Sequence, residues 1–170
     1  MVEPQDRRSV RPAGTEDARE IAVLINTAFQ VEKFFVDGDR ITEEEVRQLI
    51  DSGCFLVAED AAGDAEGMTG CVYVESDGEH GYLGLLSIWP ARQREGLGRR
   101  LVAAAEDHAR QSGCKIMDLQ IVNLRTELPP FYRKLGYDET GTAPFPADVT
   151  TKLPCHFIKM SKSLALTTSP

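Results

Sequence analysis

Residues 85–101 read LLSIWPARQREGLGRRL, and this stretch says most about the fold. Its apolar start, which ends at Pro90, predicts a buried strand, and the periodic apolar residues after Gly96 predict a helix to about Gln111. Gly96 and Gly98 leave backbone N–H groups uncovered at the positive end of that helix. The segment therefore predicts a loop that attracts a phosphate or pyrophosphate group.

Two nucleotide-binding motifs with similar loops do not fit this segment. The dinucleotide fingerprint requires a third glycine where the chain has Leu101, and the P-loop requires a Gly-Lys-Ser/Thr sequence that the chain lacks. Four arginines in residues 91–100, against one glutamate, add positive charge around the loop. A helix start with small residues for packing is the structural alternative to an anion site.

The rest of the chain interleaves helical and strand-like patterns around this segment. Thr15 is a candidate cap for a first helix, and Thr42 with Glu45 forms a capping box for a second. Turns are expected at 61–67 and a proline-containing loop at 143–154. The strands are predicted at 9–11, 54–59, 70–75, 82–88, 116–122, 137–142 and 155–160, and the helices at 16–28, 42–51, 96–111 and 131–135. This order predicts an α/β fold with a mixed, mostly antiparallel central sheet flanked by helices.

Length and composition favour one domain over residues 1–170, with a core at about 8–161 and a polar tail at 165–170. No apolar run reaches the ~20 residues of a membrane span. The net charge of −8 argues against nonspecific nucleic-acid binding. Four cysteines lie far apart in the sequence, which predicts neither a metal site nor a disulfide framework and favours a cytoplasmic protein.

Two motifs resemble those of the GNAT superfamily of N-acetyltransferases. Gln93-Arg94-Glu95-Gly96-Leu97-Gly98 is similar to the family's Q/R-x-x-G-x-G/A motif, and it lies between a predicted strand and a predicted long helix. Residues 131–137, FYRKLGY, are similar to the family's aromatic-Tyr-x-x-Leu-Gly-Phe/Tyr element. The resemblance covers about residues 8–161. It implies the GNAT fold and transfer of an acetyl group from acetyl-CoA to an amine.

The resemblance also implies a set of site residues. Backbone groups of the glycine loop would bind the pyrophosphate of acetyl-CoA, and the preceding strand would hold the pantetheine arm and the acyl group. Tyr132 matches the family's tyrosine that protonates the departing thiolate. Relatives commonly place an asparagine seven residues before this tyrosine; here Arg125 has that spacing and Asn123 lies two residues earlier. The prolines at 129–130 are expected to shorten the helix and to lie in its first turn. The cofactor-binding residues predicted in this way are Leu86, Ser87, Ile88, Gln93, Arg94, Glu95, Gly96, Leu97, Gly98, Arg99, Asn123 and Arg125.

The general base and the acceptor are less well defined by the sequence. Glu32 is the first candidate for the base because it lies in the irregular segment where the family builds its acceptor site; Asp37 and Arg40 are candidates for binding substrate. A water relay is an alternative to a base, and His156 fits a packed strand position better than a catalytic one. The acceptor is expected to be a small-molecule or peptide amine and the protein a monomer or homodimer. The net charge of −12 in residues 1–80 favours cationic acceptors.

Two other functions fit some of these features. A covalent route through a cysteine is disfavoured because no cysteine has a neighbouring histidine or a nucleophile motif. A non-catalytic acyl-CoA sensor or regulatory module would keep the glycine loop but has no use for Tyr132. The tyrosine therefore favours an enzyme.

Overall fold

The computed structural model describes residues 8–60 and 67–165. The turn predicted at 61–67 and the tail at 165–170 lie outside these ranges, apart from Gly67 and Ala165. Within them the chain forms seven strands and four α-helices. The strands are β1 Arg8–Pro12, β2 Cys54–Asp60, β3 Gly67–Asp77, β4 His80–Ile88, β5 Ile116–Val122, β6 Asp138–Pro144 and β7 His156–Ser163; the helices are α1 Ala18–Ala28, α2 Glu43–Ser52, α3 Leu97–Gln111 and α4 Leu128–Lys134.

The strands form one sheet in the order β1-β2-β3-β4-β5-β7-β6. Among the described strands only β4 and β5 pair in parallel, and every other neighbouring pair is antiparallel. A parallel pair needs a crossover, and α3 supplies it between these two strands. The structure confirms a mixed, mostly antiparallel sheet.

Helices cover both faces of the sheet. On one face, Leu101, Val102 and Ala105 of α3 are buried in a cluster that also holds Tyr132 and Tyr137. On the other, the apolar residues of α1 and Val46 of α2 pack against side chains of β2 and β3. Because the two faces are buried by different helices, the strands between them are almost continuously apolar, as in the LVA run at 56–58.

The helix starts confirm one sequence prediction and correct two. Thr42 and Glu45 form the predicted capping box, with Glu45 N donating to Thr42 Oγ1 at 3.2 Å and Thr42 N donating to Glu45 Oε2 at 2.7 Å. Thr15 does not cap α1, because a 3₁₀ turn at Thr15–Asp17 precedes the helix and Asp17 Oδ2 accepts from Gly14 N at 2.9 Å.

The last helix begins earlier than expected. α4 starts at Leu128, three residues before the predicted start at Phe131. The restriction on residues before proline predicted that Leu128 would lie outside the helix. The prolines at 129–130 occupy the first turn, as predicted, where a missing N–H costs no intrahelical hydrogen bond.

Candidate active site

The glycine loop connects β4 to α3 through a 3₁₀ turn at Pro90–Arg92. Arg94 has φ of 70° and Gly96 has φ of 80°, so two residues of the loop are left-handed. Such kinks turn backbone N–H groups toward a common concavity that binds anions. Gly96 is also the N-cap of α3, where the first N–H groups of the helix have no intrahelical acceptor.

A cleft of about 540 Å³, here called the cofactor cleft, opens over this loop. Nine of the twelve predicted cofactor-binding residues line it. They are Leu86, Ile88, Gln93, Arg94, Gly96, Leu97, Gly98, Arg99 and Arg125. The cleft combines backbone donors at a helix start with several guanidinium groups, and this chemistry suits a pyrophosphate.

The side chains of the other three predicted residues are engaged within the protein. Ser87 is buried, and its hydroxyl donates to the carbonyl of Leu85 at 3.0 Å. Glu95 accepts from Arg92 Nε at 3.1 Å. The amide oxygen of Asn123 accepts from the backbone N–H of His156 at 2.8 Å, so Asn123 joins the end of β5 to β7. None of the three is among the described residues that line the cofactor cleft.

A bulge in β4 opens the sheet beside the cofactor cleft. Leu85 is left-handed, with φ of 55°, and the β3–β4 register shifts between Cys71 and Tyr73. The parallel pairing of β4 with β5 ends at Tyr82, opposite Asp118. Beyond that pair the two strands line opposite sides of an opening, which leaves backbone N–H groups of β4 available to a ligand.

That opening belongs to a second cleft of about 770 Å³, here called the acceptor cleft. Its walls come from the segment between α1 and α2, from α2, from β3 to β5, and from the loop between β6 and β7. Phe29, Leu86 and Arg125 line both clefts. The two clefts therefore meet at these three residues.

Tyr132 lies on α4 and lines the acceptor cleft. Its ring packs edge-on against Phe131, with centroids 4.9 Å apart, and against Tyr137 at 5.7 Å. Phe131 lines the cofactor cleft, so neighbouring residues of α4 face the two clefts. Burial raises the pKa of Tyr132 above its ordinary value. Its hydroxyl is therefore protonated at neutral pH and can donate a proton.

Glu32 follows α1 in a 3₁₀ turn and lines the acceptor cleft. Its Oε1 lies 3.3 Å from Arg125 Nη1, and Arg125 Nε lies 2.5 Å from Glu127 Oε1. Burial raises the pKa of Glu32, although the charge of Arg125 acts in the opposite direction. A carboxylate with a raised pKa beside the meeting point of two clefts is suited to accept a proton. The sequence did not predict the Glu32–Arg125 pair, because 93 positions separate its members.

Several residues of the acceptor cleft were not predicted from the sequence. They include Tyr73, whose hydroxyl donates to Glu75 at 2.8 Å, and Tyr82 at the start of the opening. They also include Phe145 and Phe157, whose rings stack at 5.0 Å. A strand tyrosine or a loop phenylalanine has no local signal that separates a cleft wall from a core position.

The cysteines do not support a covalent route. All four are free thiols, and none of them is among the described residues lining either cleft. Burial raises the pKa of Cys71 to about 12 and also raises the pKa of Cys54. A thiol with a raised pKa is a poor source of thiolate at neutral pH.

Two further features concern the described residues as a whole. Across residues 8–60 and 67–165, no group of three or more His, Cys, Asp or Glu side chains is placed to hold a metal ion. No helix in this part of the chain is long and apolar enough to span a membrane.

Several solved structures share the fold of this chain. The acetyltransferase yncA from Salmonella typhimurium, solved with its cofactor acetyl-CoA, matches with a TM-score of 0.70 at 21% identity and covers 97% of this chain and 98% of its own. Ard1 from Thermoplasma volcanium matches with a TM-score of 0.75 at 16% identity, over 94% of this chain and 99% of its own. At these identities the likeness shows the fold.

Relatives in sequence identify the family of the chain. Glucosamine 6-phosphate N-acetyltransferase 1 from Oryza sativa subsp. japonica is 32% identical over 136 residues, which is 76% of this chain and 81% of the relative. N-acetyltransferase YhfO from Bacillus subtilis is 28% identical over 160 residues, 85% of this chain and 99% of the relative. A family model described as the acetyltransferase (GNAT) family matches residues 20–137. The chain therefore belongs to the GNAT family and is an N-acetyltransferase that transfers an acetyl group from acetyl-CoA to an amine.

Proposed function

We propose that the enzyme transfers the acetyl group directly, with acetyl-CoA and the amine bound together. The observation that carries this proposal is that the cofactor cleft and the acceptor cleft meet at Phe29, Leu86 and Arg125, beside Tyr132 and Glu32. Acetyl-CoA in the cofactor cleft and the amine in the acceptor cleft would place the thioester and the amino group next to each other at this point. Proximity of this kind supplies a large part of the rate of acyl transfer.

The cofactor cleft fits the pyrophosphate and pantetheine of acetyl-CoA. The loop backbone near Gly96 would bind the pyrophosphate, and Arg94 and Arg99 would add positive charge. A Cβ atom at Gly98 would lie 3.3 Å from the ring of Phe131, so the glycine keeps the space beside that ring open. Acetyl-CoA supplies the thioester whose carbon–sulfur bond breaks as the new carbon–nitrogen bond forms.

Three groups of the chain would act on the reaction. Backbone N–H groups of β4 near Leu86 would donate to the carbonyl oxygen as it gains negative charge. Glu32 would take a proton from the attacking amine, and Tyr132 would give one to the departing sulfur. Tyr132 is suited to this role because its raised pKa means that the hydroxyl is protonated at neutral pH, so a proton is present when the sulfur departs.

Steady-state kinetics with an amine panel test this proposal. The panel contains a polyamine, an amino acid, an aminoglycoside, a lysine peptide and glucosamine 6-phosphate, the acceptor in the name of the rice relative. We expect one CoA released per acetyl group transferred, intersecting double-reciprocal plots, and an apparent melting temperature raised by acetyl-CoA. Saturation at ~100 Kd would stabilise the fold by about 2.7 kcal/mol. Parallel plots would indicate a covalent enzyme intermediate and would contradict direct transfer.

The same experiment separates the enzyme from the alternative, a non-catalytic acyl-CoA sensor. A sensor would bind acetyl-CoA and be stabilised by it, yet would acetylate no amine of the panel. An unchanged melting temperature in millimolar acetyl-CoA and CoA would contradict both functions.

We further propose a cytoplasmic enzyme with one domain at about residues 8–161. The four free thiols suit a reducing compartment. Its partners would be small-molecule or peptide amines, and it would act as a monomer or homodimer without binding nucleic acid or membrane.

A further inference from the structure

The charged side chains of the acceptor cleft differ in whether they already have partners. Its acidic residues are mostly bonded within the protein. Glu32 pairs with Arg125, and Asp37 Oδ1 lies 2.9 Å from Lys152 Nζ. These contacts hold the cleft walls together, because Lys152 belongs to the loop between β6 and β7 and Asp37 to the segment between α1 and α2.

Two more acids of the cleft are engaged in the same way. Glu45 accepts from the backbone N–H of Thr42 in the capping box of α2. Glu75 accepts from the hydroxyl of Tyr73. Each of these carboxylates already has a donor, so the count of acids overstates the attraction of the cleft for a cation.

Arg40 is different from these acids. Its guanidinium lies over the ring of Phe29, 5.6 Å from the centroid, and both residues line the acceptor cleft. Among the residues that the structure describes, no carboxylate lies within 4 Å of this guanidinium. Stacking on an aromatic face orients a guanidinium while leaving its N–H edges free for a planar oxyanion.

A side chain of α1 fixes the backbone at Arg40. The side chain of Asn26 on α1 accepts from Arg40 N at 2.8 Å and from Ile41 N at 3.0 Å, and it donates to the carbonyl of Ile41 at 2.8 Å. The half-buried side-chain amide of Asn26 thus joins the end of the segment between α1 and α2 to α1. Arg40 is therefore presented from an anchored position.

The charge of Arg40 reaches both ends of the cleft. It lowers the pKa of Glu32 at the transfer end and the pKa of Tyr82 at the other, although burial raises both overall. Arg40 thus lies in the acceptor cleft, stacked on Phe29 beside the point where the two clefts meet.

We propose that Arg40 binds an anionic group, a carboxylate or a phosphate, on the amine that the enzyme acetylates. This inference rests on the proposed function, because it assigns the acceptor to the cleft beside Tyr132. It replaces the expectation of cationic acceptors, which rested on the net charge of residues 1–80. Only five of these acids line the acceptor cleft, and four of the five, all but Asp39, are bonded within the protein, whereas the Arg40 guanidinium stacks on Phe29 with its N–H edges open to a ligand.

Matched pairs of acceptors test the proposal. One pair is glucosamine 6-phosphate and glucosamine, and the other is 4-aminobutanoate and its amide. We expect the wild-type enzyme to favour at least one charged member over its neutral partner. Arg40→Gln raises KM for that charged member by about 10- to 100-fold, the usual loss for a charged hydrogen bond, while kcat stays within about threefold. KM for the neutral member stays unchanged.

Two further variants sharpen the result. Arg40→Lys keeps the charge but loses the planar fork, so it recovers part of the affinity. Arg47→Gln removes an arginine that is paired with Glu43 on α2 and does not line the cleft. This control should leave both members of each pair unaffected. The larger preference, in the phosphate pair or in the carboxylate pair, identifies the anion.

Calorimetry with CoA present separates this inference from the proposed function. Tighter binding of a charged member that is lost in Arg40→Gln supports the anion site, even if no amine is acetylated and the proposed function fails. Equal binding of charged and neutral members to the wild-type enzyme overturns the inference. Equal losses for both members in Arg40→Gln also overturn it, because they would mean a general role in the shape of the cleft.

Discussion

The cofactor cleft and the acceptor cleft are built in different ways. Most of the cofactor cleft comes from one continuous segment, residues 86–99, which includes the backbone N–H groups at the start of α3. The acceptor cleft draws its walls from segments that span residues 26–157 and presents side chains. A site made of backbone groups keeps its binding properties through many substitutions as long as the backbone conformation is kept. A site made of side chains changes its binding properties with each substitution.

The family match follows the same division. It covers residues 20–137, which include the whole glycine loop and Tyr132. The loop that carries Phe145 and Val149 into the acceptor cleft lies beyond the match. The family match thus includes the whole glycine loop and leaves out part of the acceptor cleft, which fits a shared reaction with a choice of amine that differs between relatives.

Tyr132→Phe should have the largest effect and tests the point where the two clefts meet. The ring and its packing remain, but the proton donor is lost, so kcat should fall by roughly 10²–10⁴-fold. A thiolate is a good leaving group, which favours the lower part of this range. The affinity for acetyl-CoA should stay within about threefold. Rapid-quench measurement of the chemical step and calorimetry give the two values separately.

Tyr137→Phe is the matched control for this variant. It also removes a buried hydroxyl and keeps the ring, but its hydroxyl contacts Glu106 at 3.4 Å and lines neither cleft. We expect about 1 kcal/mol of lost stability with kcat nearly unchanged. Wild-type kcat in Tyr132→Phe would leave the tyrosine with a packing role.

Gly98→Val should have the next largest effect and acts on the cofactor cleft alone. The branched side chain would fill the space beside Phe131 and keep acetyl-CoA from the loop backbone, so its Kd should rise at least about 100-fold. Gly141→Val is the control, because a side chain there meets no atom within 4 Å and φ is not positive. Calorimetry measures the affinity, and circular dichroism checks the fold. Unchanged affinity in folded Gly98→Val would break the assignment of the loop.

Glu32→Gln should have a smaller effect, confined to the acceptor cleft. Water can relay the proton in place of the carboxylate, so we expect kcat to fall by roughly 10- to 100-fold with acetyl-CoA affinity unchanged. The pH profile carries the sharper test. The base works when ionised, and burial raises the pKa of Glu32, so wild-type kcat/KM should fall as the pH drops through that raised pKa.

The variant should lose this acidic limb of the profile. Arg125→Gln should move the limb to higher pH, because Arg125 lowers the pKa of Glu32 and its removal leaves the effect of burial opposed only by Arg40. An acidic limb that persists unchanged in Glu32→Gln would mean that another group is the base.

Much of the architecture could be read from the sequence because its signals are local. Hydrophobic periodicity, the capping box at Thr42 and the glycines of the loop each act within a few residues, so they predict strands, helices and an anion site without knowledge of the rest. The same signals erred at element ends. At Thr15 the carboxylate of Asp17, two residues on, replaced the expected cap, and Leu128 is the first residue of α4 although it precedes a proline.

The acceptor cleft depended on tertiary structure. Glu32 was recognised as a candidate base, but its partner Arg125 follows β5, 93 residues further along the chain. Asp37 is paired with Lys152 of the loop between β6 and β7. The sequence by itself determined the fold class and identified the glycine loop and Tyr132 as candidate site features, because backbone geometry and short motifs are local properties. Only the tertiary structure decided which charged side chains form ion pairs and that Arg40 stacks on Phe29 instead, because long-range packing alone brings such side chains together.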